Sequence, residues 1–239
     1  MPTPEMVVIG ASAGGVEALR EVVAALPRDF GAAVCIVLHV PPGCPSMLAS
    51  ILSRRSRLPC GAARDGERVH GGHVYVATPD FHLTVRGDCL HLVHGPPDHG
   101  HRPSVDALFR SAAREYGRTL VGVVLTGNLD DGTSGLREVK ARGGLAVVQS
   151  PADASFPSMP RSAITAVAVD HVIPLREVGP LLARLVTDGW PTDDEESFAD
   201  RRRRSRRQGR ELPANRLPGT ARDGGLGGSK SVGSRDDGA

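Results

Sequence analysis

The chemistry this chain could perform begins at Ser12. This serine lies in Gly10-Ala11-Ser12-Ala13-Gly14, after the apolar run Met6 to Ile9 and before Val16, Leu19, Val22, Val23 and Leu26, which recur at helical spacing until Pro27. The pentapeptide is G-x-S-x-G at a strand-to-helix turn, a geometry that lifts a serine hydroxyl above the carboxyl edge of a parallel sheet. Glycines on both sides allow the sharp turn, and the following helix turns its free N–H groups and positive dipole end toward developing negative charge. Turns of this kind also hold phosphates. Here, however, there is no third glycine at dinucleotide spacing and no Lys-Ser or Lys-Thr pair of the P-loop kind, so a nucleophilic serine is the better reading. An α/β-hydrolase would need an oxyanion loop from an earlier strand and the order Ser, Asp/Glu, His, and with the serine at position 12 no strand earlier than its own is expected to supply that loop.

An activated serine needs a base within hydrogen-bond reach and a third group to orient that base. Of the nine histidines, His39 alone ends a strongly apolar strand, Ala33 to Val40, and precedes the turn Pro41-Pro42-Gly43. Neighbouring parallel strands lie about 4.8 Å apart, so the side chains of Ser12 and His39 can meet. A carboxylate is expected at another strand end. Leu120 to Leu125 leads into Thr126-Gly127-Asn128-Leu129-Asp130-Asp131-Gly132, and spacing alone leaves Asp130 and Asp131 both open, each also readable as a turn residue or helix cap. Two rivals carry less weight. Cys44 has nothing in its surroundings to lower its pKa. His91, His94, His99 and His101 invite a metal, yet loop histidines beside Gly and Pro are more often exposed, and no metal is expected.

The elements that must position these residues alternate short apolar runs with helical patterns, as a mostly parallel sheet wrapped by helices requires. Beyond the segments above, the pattern predicts a helix over Ser46 to Leu52 and strands at His73 to Ala77, His82 to Arg86 and Cys89 to Val93. Ser104 reads as the N-cap of a helix carrying Val105, Leu108, Phe109 and Ala112. A helix at Ser134 to Ala141, a strand at Leu145 to Gln149, a helix with Pro160 at its first position and a closing helix at Leu175 to Val186 follow. The fold class is α/β, a doubly wound, Rossmann-like sheet with helices on both faces and an inserted β-hairpin region.

Composition sets the boundaries. Of 239 residues 40% are hydrophobic, but 191–239 contain only nine hydrophobics, so the core lies before Trp190. Residues 1–190 hold 18 basic and 18 acidic side chains, which excludes a basic body built to grip nucleic acid. The tail, 191–239, reads DDEE, then six arginines at Arg201 to Arg204, Arg206 and Arg207, then Gly and Ser, a disordered composition whose charge block is taken as solvated. The longest apolar run, Ala32 to Leu38, has seven residues, too few for a membrane helix, and no signal peptide is visible, so no membrane insertion and a cytoplasmic location are expected. Cys35, Cys44, Cys60 and Cys89 form no CxxC pair and read as reduced, mostly buried thiols. Aromatics at 3% are too scarce for stacking platforms.

With these residues in view, the chain resembles the catalytic domain of the CheB-type protein-glutamate methylesterases of bacterial chemotaxis. VIGASAGGVEAL is similar to that family's nucleophile turn, LHVPPG to its histidine loop and LTGNLDDG to its aspartate loop. DGERVHGGHVYVATPD, GPPDHGHRPSVDALF and SMPRSAI extend the resemblance from about residue 6 to 187. The resemblance implies Ser12 as nucleophile, His39 as base and Asp131 as orienting carboxylate, with Asp130 at a variable position. It implies hydrolysis of glutamate γ-methyl esters on chemoreceptor helices with release of methanol, glutamine deamidation as a related activity, and no cofactor. Backbone N–H groups near Ala13 and Asn128 become the candidate oxyanion donors. Residues 1–190 would be the catalytic domain, without the receiver domain many relatives carry, which leaves regulation to a separate protein partner or to none. The alternatives are a serine esterase or amidase of another substrate and a catalytically weak receptor-binding module. Three positions depart from the family pattern: Ala13 stands where threonine is common, and Asn128 and Leu129 follow Gly127 where Gly-Met-Gly is usual. A positive φ at the second of those glycines would leave Leu129 strained or the loop altered.

Overall fold

The structure is a computed structural model that describes residues 3–40 and 47–190. The expected Pro41-Pro42-Gly43 turn, Cys44 and the expected disordered tail at 191–239 lie outside the described residues. Among the described residues nine strands and six α-helices follow one another as β1 (Met6–Ala11), α1 (Gly15–Ala25), β2 (Ala33–Leu38), α2 (Leu48–Ser53), β3 (Cys60–Ala62), β4 (Val74–Val76), β5 (His82–Arg86), β6 (Cys89–Val93), α3 (Val105–Tyr116), β7 (Leu120–Val124), α4 (Thr133–Ala141), β8 (Leu145–Gln149), α5 (Ser158–Ala166), β9 (His171–Ile173) and α6 (Leu175–Asp188). Seven strands form one sheet in the order β3-β4-β2-β1-β7-β8-β9, with every neighbouring pair parallel. β5 and β6 pair antiparallel as a separate hairpin inserted between β4 and α3. The chain winds outward from β1 on one side and resumes at β7 on the other, so β1 stands at the switch point where an open α/β sheet forms its crevice.

Because side chains alternate along a strand, β1 feeds two cores. Val7, Ile9 and Ala11 pack with α1, α2 and α6, while Met6 and Val8 pack with α3, α4, α5 and the hairpin. Every residue of β1, β2, β7 and β8 is buried, which is why these strands read as unbroken apolar runs. The strands β3 and β9 have no such pattern. Each has three residues on a sheet edge, largely exposed or half-exposed, and neither is foreseen from periodicity.

Pro160 is not the first residue of its helix. α5 begins at Ser158, so Pro160 falls third, still within the first turn, where its missing N–H removes no intrahelical bond. Among the described cysteines only Cys35 is buried, while Cys60 and Cys89 are half-buried, which corrects the expectation of mostly buried thiols for these three. Burial pushes the Cys35 thiol up to about 12 and Cys60 to about 11, so neither is a ready nucleophile. No helix among the described residues is long and apolar enough to cross a membrane.

The first turn of α3 lies directly on the backbone of β1: a Cβ added at Gly10 would collide with Val105 Cγ1. Gly10→Ala must therefore displace the start of α3 or distort β1. We expect a loss of about 1–3 kcal/mol, read as a lower urea midpoint at unchanged slope.

Candidate active site

Three strand ends converge at one edge of the sheet. Ala11 pairs with Leu38 and Gly10 with Val124, so the chain leaves β1, β2 and β7 at adjacent points. Backbone hydrogen bonds tie these exits together: His39 N–H donates to Ala11 O at 3.2 Å and Ser12 N–H to Thr126 O at 3.0 Å. Gly127 is pressed against the serine, since a Cβ there would stand 2.8 Å from Ser12 Cβ and would also strike Met159.

Asp131, 92 residues beyond His39, meets it with Oδ2 2.7 Å from His39 Nε2. The carboxylate is 1% exposed and sits at the N-terminus of α3. It accepts from Val105 N–H at 2.8 Å, Asp106 N–H at 2.9 Å and Ser104 Oγ–H at 3.1 Å. These N–H groups would otherwise lack partners, and the helix end favours negative charge. Burial alone would raise the pKa of Asp131. The bonds from His39, Asp106 and Val105 outweigh it and hold the carboxyl below the usual carboxylate range. Ser104 is fixed from behind, its N–H donating to His82 Nδ1 at 3.2 Å, while His82 Nε2 lies 3.0 Å from Pro96 O. In that arrangement Nδ1 of His82 accepts and Nε2 faces a carbonyl acceptor.

Around Ser12, Gly14 takes φ 72° as the cap of α1 and brings Ala13 and Gly14 round the turn. Thr126 Oγ1 donates to Ala13 O at 3.1 Å and accepts from Phe156 N–H at 2.9 Å, holding the turn to the segment before α5. Gly127 N–H is taken by Phe156 O at 2.9 Å. By contrast, the N–H groups of Ala13 and Asn128 have no hydrogen-bond acceptor among the described residues. The Ser12 hydroxyl likewise makes no hydrogen bond to a described residue, and His39 Nδ1 is buried without one. A proton donor and a proton acceptor are thus left unsatisfied on adjacent strand ends.

Leu129 adopts φ 65° and is 62% exposed, so the loop keeps a left-handed position with leucine in it. Its carbonyl is held by the hydroxyls of Ser158 and Ser162 at 3.2 and 3.4 Å. The four histidines weighed as a metal cluster separate: His91 faces Asp65, His94 faces Asp80 and His99 approaches Asp106, while His101 stacks on His39 with ring centroids 3.7 Å apart and planes 10° from parallel. Among the described residues no group of His, Cys, Asp or Glu is placed to hold a metal ion. Burial, and then the charge of His39, lower the pKa of His101 below the ordinary histidine value. Nothing in the sequence pointed to that contact. Ser104 was foreseen only as a cap, and it both caps α3, accepting from Ala107 N–H, and donates to Asp131.

The profile of the CheB methylesterase family matches residues 7–182. The chain belongs to this family. A protein of Leptospira interrogans is 40% identical over 182 residues, 76% of this chain and 94% of that one. The Burkholderia pseudomallei protein-glutamate methylesterase/protein-glutamine glutaminase 1 is 42% identical over 192 residues, 78% of this chain and 52% of the relative, so this chain spans about half of that protein's length. Among solved structures, the CheB methylesterase catalytic domain of Thermotoga maritima superposes with a TM-score of 0.74 at 34% identity, covering 77% of this chain and all of that one. The family's fold accounts for the parallel sheet, its switch point and the hairpin insert described above.

Asp131→Asn would put an amide N–H₂ among donors that need an acceptor. A loss of about 2–3 kcal/mol at pH 7 is expected, the range for bonds to a buried charge. Because the folded pKa is lowered, the carboxylate's contribution is complete above the ordinary value of about 4 and disappears as pH falls through the folded value. Urea unfolding across pH should therefore show the difference between wild type and Asp131→Asn shrinking below about pH 4.

Proposed function

We infer that the protein hydrolyses glutamate γ-methyl esters on chemoreceptor helices, releasing methanol, and that it deamidates glutamine side chains by the same route. The observation that carries this reading is the pairing of His39 with a buried, ionised Asp131 at the strand end next to Ser12, in a chain of the CheB methylesterase family. The relatives' names supply the two reactions, since those of Burkholderia pseudomallei and Anaeromyxobacter dehalogenans are called protein-glutamate methylesterase/protein-glutamine glutaminase.

In this mechanism Ser12 Oγ attacks the ester carbonyl while His39 Nδ1 takes its proton. Asp131, bonded to Nε2, fixes the tautomer that leaves Nδ1 basic and stabilises the imidazolium that forms. The tetrahedral oxyanion is received by the unpaired N–H groups of Ala13 and Asn128, each such donor contributing on the order of 3 kcal/mol. Collapse expels methoxide, which leaves as methanol with the proton from His39. Water then repeats the sequence on the acyl-serine, giving glutamate and free Ser12. With glutamine the leaving group is ammonia. Residues 1–190 are the catalytic domain in this reading, the enzyme works in the cytoplasm, and its partners are the methylated chemoreceptor and a separate regulatory protein.

Methanol release from a methylated chemoreceptor fragment tests the proposal. Wild type should release it, and Ser12→Ala should lose roughly a thousandfold or more in kcat with an unchanged urea midpoint. Equal release by both proteins would remove Ser12 from the mechanism, and none from wild type would remove the substrate.

A further inference from the structure

Five large apolar side chains stand exposed among the described residues, and three of them, Met47, Leu129 and Phe156, lie in the segments that follow β2, β7 and β8 at their carboxyl ends. The other two lie on the hairpin and on the edge strand β9. Of these, Leu129 and Phe156 are tied to the segments around Ser12. Phe156 is fixed there by its backbone: its carbonyl accepts from Gly127 N–H and its N–H donates to Thr126 Oγ1, both at 2.9 Å. Its ring borders the serine turn, since a Cβ on Gly14 would stand 3.3 Å from Phe156 Cδ2.

Leu129 is the most telling of the three. Glycine takes φ 65° at no steric cost, whereas leucine is strained there. In the free protein the side chain regains little through burial, being 62% exposed. The loop's shape does not need a leucine, because the hydroxyls of Ser158 and Ser162 hold it through the carbonyl. A strained residue persists where the structure over-determines it, and such residues gather at sites that grip ligands. An ester at the end of a glutamate side chain reaches Ser12 across only a few bonds. The polypeptide that bears it must then lie across this edge, against the residues that rim it.

We propose that Leu129, with Phe156, forms an apolar rim that receives the apolar side chains flanking the esterified glutamate on the protein substrate. The proposal rests on the methylesterase reading above and names what selects the substrate polypeptide at that site. Leu129 and Phe156 are specificity residues here: they bind the protein around the ester and leave the reacting atoms to others.

The test compares wild type, Leu129→Gly and Phe156→Ser on a methylated receptor fragment, with p-nitrophenyl acetate as a small ester for wild type. Leu129→Gly relieves strain, so its melting temperature should equal or exceed that of wild type. Each variant should raise KM for the fragment about tenfold, as expected for losing the burial of one large apolar side chain, with kcat changed less than about twofold. Unchanged KM in both variants overturns the rim, and so does a fall in kcat at constant KM, which would place these residues in the geometry of the reaction. Wild type that hydrolyses p-nitrophenyl acetate but not the fragment overturns the substrate reading, and the rim with it; wild type that hydrolyses the fragment isolates the rim as the only point at issue.

Discussion

A carboxylate with almost no access to water is stable only if its charge is matched, and in this protein the matching fixes the arrangement of the site. Asp131 is 1% exposed and accepts from the first backbone N–H groups of α3, from Ser104 and from His39. The α3 N-terminus must then lie against the end of β7, and the imidazole must lie against the carboxylate. Three segments far apart in the chain are brought to one point by the need to solvate a single charge.

Close approach of backbones makes this convergence possible. Gly10 lets Val105 lie on β1, and Gly127 lets the aspartate loop press against Ser12. A second carboxyl close by shows how finely the balance is set. Asp106 gives its N–H to Asp131, yet burial pushes its own carboxyl up from the usual range despite a 2.6 Å bond from Gly135 N–H, and the charge of Asp131 adds to the rise. Two buried carboxyls side by side are driven apart in acidity, the one with more donors downward and the other upward. The same loop tolerates leucine at a left-handed position because its carbonyl is held from α5.

Much of this was legible in the sequence, and the reasons differ by element. The central strands are buried on both faces and so appear as apolar runs, while G-x-S-x-G marks a turn that few other arrangements need. β3 and β9 were invisible because a short edge strand needs no apolar pattern. Asp130 and Asp131 could not be separated by spacing; in the structure Asp131 is buried beneath α3, whereas Asp130 has its side chain largely in solvent. His101 was counted among possible metal ligands because proximity in sequence suggested a cluster, but the loop sends each of those histidines to a different partner.

The α/β class, the family, and the order in which serine, histidine and aspartate leave their strands can be read from the residues alone, because burial patterns and turn chemistry are local and written in residue types. Which aspartate loses water, that His39 presents Nε2 to it and leaves Nδ1 unpaired, and that His101 stacks on the imidazole emerge with the folded arrangement. Those outcomes depend on desolvation and on hydrogen-bond geometry between segments dozens of residues apart. Such quantities exist only once the sheet has brought the strand ends together.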